Sequence, residues 1–390
     1  ATLTTGILFS FIAHNLCLEL VRIICRITTN LLRETRVQRC NLNIITAMIP
    51  RPGNIGSENP SEFGLISRLA ELCDTGNTSD AGSVLTGIGD DAAVVSTKSG
   101  EILLTTDAMV DGVHFRSASK RWHDIGWKCA VSNLSDIAAM GGVPDHALIT
   151  LGIPSDASTE IYTDLYLGMN EAFDKFGGKI VGGDVVSSPV MFVNMALTGH
   201  PIAGSNGKPS WLKRSTANVG DLICVTGPLG GSSGGLEVLL SGKDNPAKAL
   251  LINRHYRPVP RIELGQKLVK FGVRCGMDIS DGLVVDLKKL ARSSNVSVSI
   301  DMPAIPIENG LLPLFGSEAI EHALNGGEDY ELLFTASSVT VKKIQKELHG
   351  DISVIGHVIE SNIPGGKVTI LDAGGFDHEP RRKGWDHLNG

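Results

Sequence analysis

Apolar residues recur at Leu65, Ile66, Leu69 and Leu72, a spacing that predicts a helix from a Ser61 cap to about Cys73. A polar Gly/Ser/Thr/Asp stretch follows, and then Gly87-Ile-Gly-Asp-Asp-Ala-Ala-Val-Val reads as a turn running into a short strand. Ile102 to Thr106 reads as a second strand, ending at Asp107. Trp122 to Met140 predicts a helix closed by Gly141, Gly142 and Pro144. Asp136 then lies near that helix's C-terminal end, where the helix dipole disfavours a carboxylate and a compensating positive group is expected.

Lys179 to Val181 and Val190 to Thr198 read as strands flanking Gly182-Gly183-Asp184. The run Pro201 to Pro209, rich in Gly, Ser, Asn and Pro, marks a domain boundary, so an N-terminal domain is expected over 58–201 and a C-terminal one over 202–390. The second half opens with a strand, Leu222 to Thr226, a glycine-rich turn, Gly227 to Gly235, and a helix from Leu236. Gly282 to Arg292 is amphipathic, with Leu283, Leu287, Leu290 and Ala291 on one face, and Val296 to Ile300 follows as a strand. Helices mixed with non-alternating strands give an α/β or α+β class.

The first 57 residues differ from the rest. Gly6 to Ile27 is rich in Ile, Leu and Phe, but His14, Asn15, Glu19, Arg22 and Arg26 interrupt it, so no span of about 20 apolar residues survives to cross a membrane. Arginines at 22, 26, 33, 36, 39 and 51 with few acids are compatible with an organelle transit peptide. The plainer expectation is an extension that is disordered or not native, with Met48 as the natural start, and a cytoplasmic protein.

The 390 residues exceed one average domain, and 42% apolar with 20% charged residues is the balance of an ordinary globular protein. A formal charge of −7 offers no basic face for nucleic acid. Seven cysteines stand singly, at 17, 25, 40, 73, 129, 224 and 275, which argues for a reducing compartment and against structural zinc. There is no Walker Gly-x-x-x-x-Gly-Lys-Ser/Thr, no His-Arg-Asp or Asp-Phe-Gly, no His-Glu-x-x-His and no Gly-x-Ser-x-Gly.

The acids carry the chemistry. Gly89-Asp90-Asp91, Thr105-Thr106-Asp107, Asp136, Gly183-Asp184 and Asp278-Ile-Ser-Asp281 are each explicable as a turn or a cap; Asp281 could simply cap the following helix. Together they are five segments that each put a carboxylate beside small residues at the end of an element. Brought together, these charges would repel, and hard divalent cations with open positions for phosphate are the usual resolution. The lysine-free Gly227 to Gly235 turn is equally readable as a phosphate-facing loop or a tight turn.

Several motifs occur in a telling order: Ser-Glu62-Phe63, Gly87-Ile-Gly-Asp-Asp-Ala-Ala, Thr106-Asp-Ala-Met-Val-Asp-Gly-Val-His114-Phe, Asn133-Leu-Ser-Asp-Ile-Ala-Ala-Met-Gly-Gly and Gly182-Gly-Asp. Arg257-Pro-Val-Pro-Arg261, Met277-Asp-Ile-Ser-Asp-Gly-Leu, Gly326-Gly-Glu-Asp-Tyr-Glu-Leu-Leu-Phe and Gly384-Trp-Asp-His complete the series. From about residue 61 onward the chain resembles the thiamine-monophosphate kinase family, within the broader aminoimidazole ribonucleotide synthetase superfamily. The resemblance implies an N-terminal α/β domain that pairs with its twin into a dimeric β-barrel, and an α+β C-terminal domain. Carried over by position, magnesium ligands would be Asp91, Thr105, Thr106, Asp107, Asp136, Asp184, Asp278 and Asp281, with Asp107, Asp136 and Asp281 central to catalysis. ATP would meet Gly183, Asp184, Arg214 and Ser280, and the thiamine phosphate would meet His114, Glu328 and Trp385.

Trp385 could stack on a cationic ring and Arg214 could clamp phosphate oxygens. The implied reaction is direct transfer of the ATP γ-phosphoryl group to thiamine monophosphate by a homodimer using several magnesium ions, with room for a monovalent cation, and with neither nucleic acid nor membrane as partner. Rival readings keep the fold but activate an amide oxygen, or keep only nucleotide binding. Ser61, Val185 and Leu388 depart from the family pattern, where Gly, Thr and Phe are usual; Val185 removes a hydroxyl beside a presumed ligand.

Overall fold

A computed structural model describes residues 62–73, 83–155, 158–243, 245–348, 350, 352–381, 384 and 385. The expectations for the first 57 residues, the Ser61 cap and Leu388 lie outside the described residues.

The first half runs α1 (Glu62–Cys73), β1 (Val84–Thr86), β2 (Ala93–Thr97), β3 (Gly100–Val110), α2 (Trp122–Ala139), β4 (Gly142–Ile153), α3 (Thr159–Phe176), β5 (Lys179–Ser187), β6 (Phe192–Ala203) and β7 (Pro209–Ser210). Its strands form one sheet in the order β1-β2-β3-β6-β4-β5, with β7 paired to β6. Only β4 and β5 run parallel, as the crossover through α3 requires.

The second half supplies β8 (Leu222–Thr226), α4 (Gly231–Ser241), α5 (Lys248–Tyr256), α6 (Ile262–Lys270), β9 (Cys275–Asp278), α7 (Leu283–Ser294) and β10 (Ser297–Asp301). Then come α8 (Leu311–Phe315), α9 (Ala319–Asn325), β11 (Leu332–Ala336), α10 (Ser338–Leu348), β12 (Ile352–Ile359) and β13 (Val368–Leu371). The second sheet has the order β13-β10-β12-β8-β11-β9. Two sheets with packed helices agree with the mixed class expected from the sequence. Among the described residues no helix is long and apolar enough to cross a membrane.

Helix α2 lies at the centre. It is buried on nearly every face, because it packs on α3, on the first sheet and on α6. Its crossing with α3 is close: a Cβ at Gly168 would stand 1.8 Å from the His123 carbonyl oxygen, so only glycine fits there. α3 meets it with Leu165, Met169, Ala172 and Phe173, one stripe at helical spacing.

Strand alternation decides which residues reach the core. Leu103, Thr105, Asp107 and Met109 of β3 pair with Gly199, Leu197, Met195 and Val193 of β6, and the last three of these are buried. Thr106 therefore faces the opposite side of the sheet. That outer side carries exposed Leu104, Leu148 and Val186, which are 42%, 53% and 38% exposed.

Two elements differ from the sequence reading. Gly142 and Pro144 were expected only to stop a helix, yet β4 begins at Gly142, and a register irregularity between Pro144 and Ala147 accommodates the proline. The glycine-rich run belongs partly to α4, which starts at Gly231 and not at Leu236. A side chain at Gly235 would meet the Leu251 carbonyl oxygen at 2.1 Å, so this helical glycine permits the α4–α5 contact.

Candidate active site

Three acidic residues from separate elements converge. Asp91 follows the turn before β2, Asp136 sits in the last turn of α2, and Asp278 ends β9. Each offers a carboxylate oxygen within 4.8 Å of the other two.

Each carboxylate is held from behind. Arg214 Nη2 lies 2.5 Å from Asp91 Oδ1, and the Arg214 backbone N–H donates to the Asp90 carboxylate at 3.2 Å. Thr105 Oγ1 donates to Asp136 Oδ2, and Ser135 Oγ donates to Asp278 Oδ2 at 2.6 Å. Asp91 Oδ2 is buried with no hydrogen-bond partner among the described residues.

The electrostatics are those of a crowded acidic cluster. Burial pushes Asp136 well above the usual carboxylate range, and Asp107, Asp278 and Asp91 push in the same direction. Burial and the nearby Asp91 do the same to Asp278. Asp90 is raised to about 6, chiefly by burial and then by Asp91. Among the described residues, the charges that raise Asp136 are carboxylates, and its direct donor is the Thr105 hydroxyl.

Around this centre the other candidates are distributed unevenly. Asp107 lies on the core face of β3, and its N–H donates to Asn133 Oδ1 at 3.1 Å. Thr106 and Asp184 stand on the outer face: Asp184 pairs with Thr150, Thr150 with Asn194, and Asn194 Nδ2 donates to Thr106 Oγ1 at 3.0 Å. Gly183 immediately precedes Asp184 on the edge strand β5. The departure at Val185 leaves a side chain that is 61% exposed, while its N–H donates to Asp184 Oδ1 at 2.9 Å.

The Asp278-Ile-Ser280-Asp281 loop has its own clamp. A single oxygen, Asp286 Oδ2, accepts N–H groups from Ser280, Asp281 and Gly282, all at 3.1 Å. Lys289 Nζ bridges Asp286 Oδ1 at 2.7 Å and Asp281 Oδ2 at 2.5 Å. Asp281 thus pairs with an ammonium and does not merely cap α7. Its carbonyl accepts the Trp385 backbone N–H at 3.3 Å, which brings Trp385, 44% exposed, beside the loop.

Glu328 is tied to the same loop. Its N–H donates to the Ser280 carbonyl at 2.7 Å, and its Oε2 lies 2.5 Å from Lys128 Nζ. The other acids of the Gly-Gly-Glu-Asp-Tyr-Glu run are structural anchors. Asp329 accepts N–H groups of Gly230 and Ser232 at the start of α4, and Glu331 pairs with Arg261 and accepts from Thr226. The Gly230 and Ser232 amides are therefore occupied by a carboxylate of the chain itself, which takes these two away from a phosphate. His114 Nδ1 accepts the Val110 N–H at 3.1 Å, which places any proton of the neutral ring on Nε2.

Lys128, Ser135, Asp286 and Lys289 were not singled out by sequence reasoning. A signal existed for Ser135, which neighbours Asp136, and for Asp286, one turn after Gly282. Lys128 lies seven residues before Ser135, the spacing of one helix face.

The AIR synthase related protein N-terminal domain family matches residues 89–200, and its C-terminal domain family matches residues 218–369. The thiamine-monophosphate kinase of Aquifex aeolicus is 36% identical over 332 residues, 84% of this chain and 98% of that protein. The thiamine-monophosphate kinase of Bacillus subtilis is 37% identical over 308 residues, 77% of this chain and 91% of that protein. The solved structure of AaThiL complexed with AMPPCP and TMP superposes with a TM-score of 0.71 at 35% identity, covering 84% of this chain and 97% of that one. With two domain families in sequence and whole-length relatives well above 30% identity, the chain belongs to the thiamine-monophosphate kinase family of AIR synthase related proteins.

Proposed function

We propose that the chain transfers the γ-phosphoryl group of ATP to the phosphate of thiamine monophosphate, giving thiamine diphosphate and ADP. The observation that carries this reading is the convergence of Asp91, Asp136 and Asp278 in a chain of this family. The donor set fits magnesium: hard carboxylate oxygens, one of them a buried Oδ2 without a partner, on groups that burial and mutual repulsion drive toward protonation. Bound there, magnesium supplies charge neutralisation and alignment for phosphate groups.

The chain's own residues do the rest. Asp91, Asp136 and Asp278 would hold the cation, with Asp107 and Thr105 beside them. Arg214 pairs with Asp91, and its guanidinium could also meet phosphate oxygens. Ser280 and Asp281 sit on a loop clamped by Asp286, so that nucleotide contacts made there start from a fixed backbone. His114, Glu328 and Trp385 would receive the acceptor. No strong general base is required, because the acceptor phosphate is a monoester whose second pKa is about 6.

The reading extends to assembly. The outer face of the first sheet exposes Leu104, Leu148 and Val186 beside the polar row Thr106, Asn194, Thr150 and Asp184, and this side suits pairing with a second copy as a dimeric barrel. The domains would run over 58–201 and 202–390.

The test is incubation with ATP, magnesium and thiamine monophosphate, followed by chromatography. Thiamine diphosphate should appear with the native chain and fall by at least about a hundredfold with Asp136→Asn. Absence of product from the native chain overturns the reading, and a parallel reaction with free thiamine reports acceptor choice.

A further inference from the structure

A buried ammonium stands behind Glu328. The Lys128 side chain is 5% exposed, on the face of α2 that leads to Ser135 and Asp136. Packing alone would favour an alkyl residue at such a position, since a buried charge is costly unless it is paired. Its hydrogen bond among the described residues goes to Glu328 Oε2 at 2.5 Å.

Glu328 is fixed in other ways too. It is a non-glycine residue at φ 65, a left-handed conformation that needs support from its surroundings. That support includes the 2.7 Å bond from its N–H to the Ser280 carbonyl. The side chain keeps 30% exposure, so the carboxylate is anchored through Oε2 and still reaches the cleft.

The groups that face this carboxylate come from three other elements and from its own run. Lys128 comes from α2, His255 from α5 with Nδ1 at 3.7 Å, His114 from the segment after β3, and Tyr330 from the same run. His255 Nδ1 also lies 3.1 Å from Ser232 Oγ. Burial and Lys128 press its pKa down to about 3, so at neutral pH it brings no charge. Burial alone would push the Glu328 carboxyl up; Lys128 leads the opposing groups that hold it below its ordinary value.

We infer that Lys128 is a positioning residue for the acceptor, holding Glu328 as an oriented carboxylate toward a cationic or hydrogen-bond-donating part of the substrate. The inference rests on the reading above, in which Glu328 receives thiamine monophosphate. It adds that the strength of that contact is set by a residue on α2 that does not itself touch the substrate.

The test compares native enzyme with Lys128→Met, Lys128→Gln and Lys128→Arg, measuring KM for each substrate from about pH 6 to about pH 8, with circular dichroism to verify folding. Titration of the acceptor phosphate is common to all four proteins and cancels in the ratio of variant to native KM. For Met and Gln, that ratio for thiamine monophosphate should be at least about tenfold larger at the acid end than at the alkaline end, as Glu328 takes up a proton. The ratio for ATP should stay within about twofold, and Lys128→Arg should restore the native profile. If the Met variant does not fold, Gln carries the same comparison. A ratio independent of pH, or parallel changes for ATP and acceptor, overturns the inference. Failure of the native enzyme to phosphorylate thiamine monophosphate overturns the reading beneath it instead.

Discussion

Arg214 and Asp91 form a charge pair at 2.5 Å, and the same arginine's backbone N–H caps Asp90, so one residue of the second half secures both carboxylates of the Gly89-Asp90-Asp91 turn. The Asp91 side chain is fully buried and that of Arg214 is 16% exposed. Replacing Arg214 by Met should leave an uncompensated buried carboxylate and lower stability by about 3–5 kcal/mol near neutral pH. Urea unfolding should show this deficit; a variant as stable as the native chain would count against the pairing.

Ser135 donates to Asp278 at 2.6 Å, and that bond lowers a pKa which burial raises. Ser135→Ala should cost about 1–2 kcal/mol of stability. It should also weaken phosphoryl transfer by about tenfold, because Asp278 would be harder to ionise. Unchanged kcat/KM in a folded Ser135→Ala protein would remove Asp278 from the working cluster.

Asp329 predicts a pH dependence of stability. Burial raises its pKa to about 7 against the bonds from Gly230 and Ser232. A carboxyl with a raised folded pKa binds its proton more tightly when folded, so its contribution is present below the unfolded value, about 4, and is lost as pH rises toward 7. The urea midpoint of the native chain should fall across this window, and Asp329→Asn should flatten that fall. A steeper fall in the variant would contradict the sign.

Gly168 allows the α2–α3 crossing, since a Cβ there would stand 1.8 Å from the His123 carbonyl oxygen. Gly168→Ala should destabilise by at least about 3 kcal/mol despite alanine's better helix propensity. A stabilised variant would show that the two helices separate easily.

Leu148 is 53% exposed on the outer face of the first sheet. If two copies pair through this face as proposed, the native chain should run as a dimer in light scattering and Leu148→Asp as a folded monomer. A monomeric native chain, or an unchanged mass in the variant, would count against pairing through this face.

Local periodicity and charge made much of the fold legible. Helix α2 and strand β8 begin where their apolar patterns begin, and the acids of the cluster were recognisable as carboxylates beside small residues at the ends of elements. What was hidden depends on partners far away in sequence. β4 was masked by Gly142 and Pro144, which look like punctuation until β6 is present to pair with a bulged strand. Thr105, Thr106 and Asp107 read as one motif, but the two-residue period of a strand sends Thr106 to the other face. Lys128 could not be distinguished from any helix lysine without Glu328, 200 residues later.

The Asp286 clamp has one more consequence. Because one carboxylate oxygen collects three successive amides, the loop bearing Ser280 and Asp281 loses its conformational freedom when the chain folds and not when a ligand arrives. The site is in this sense preorganised: binding there carries little ordering entropy, and a ligand's affinity reports its contacts more than the rearrangement of the loop.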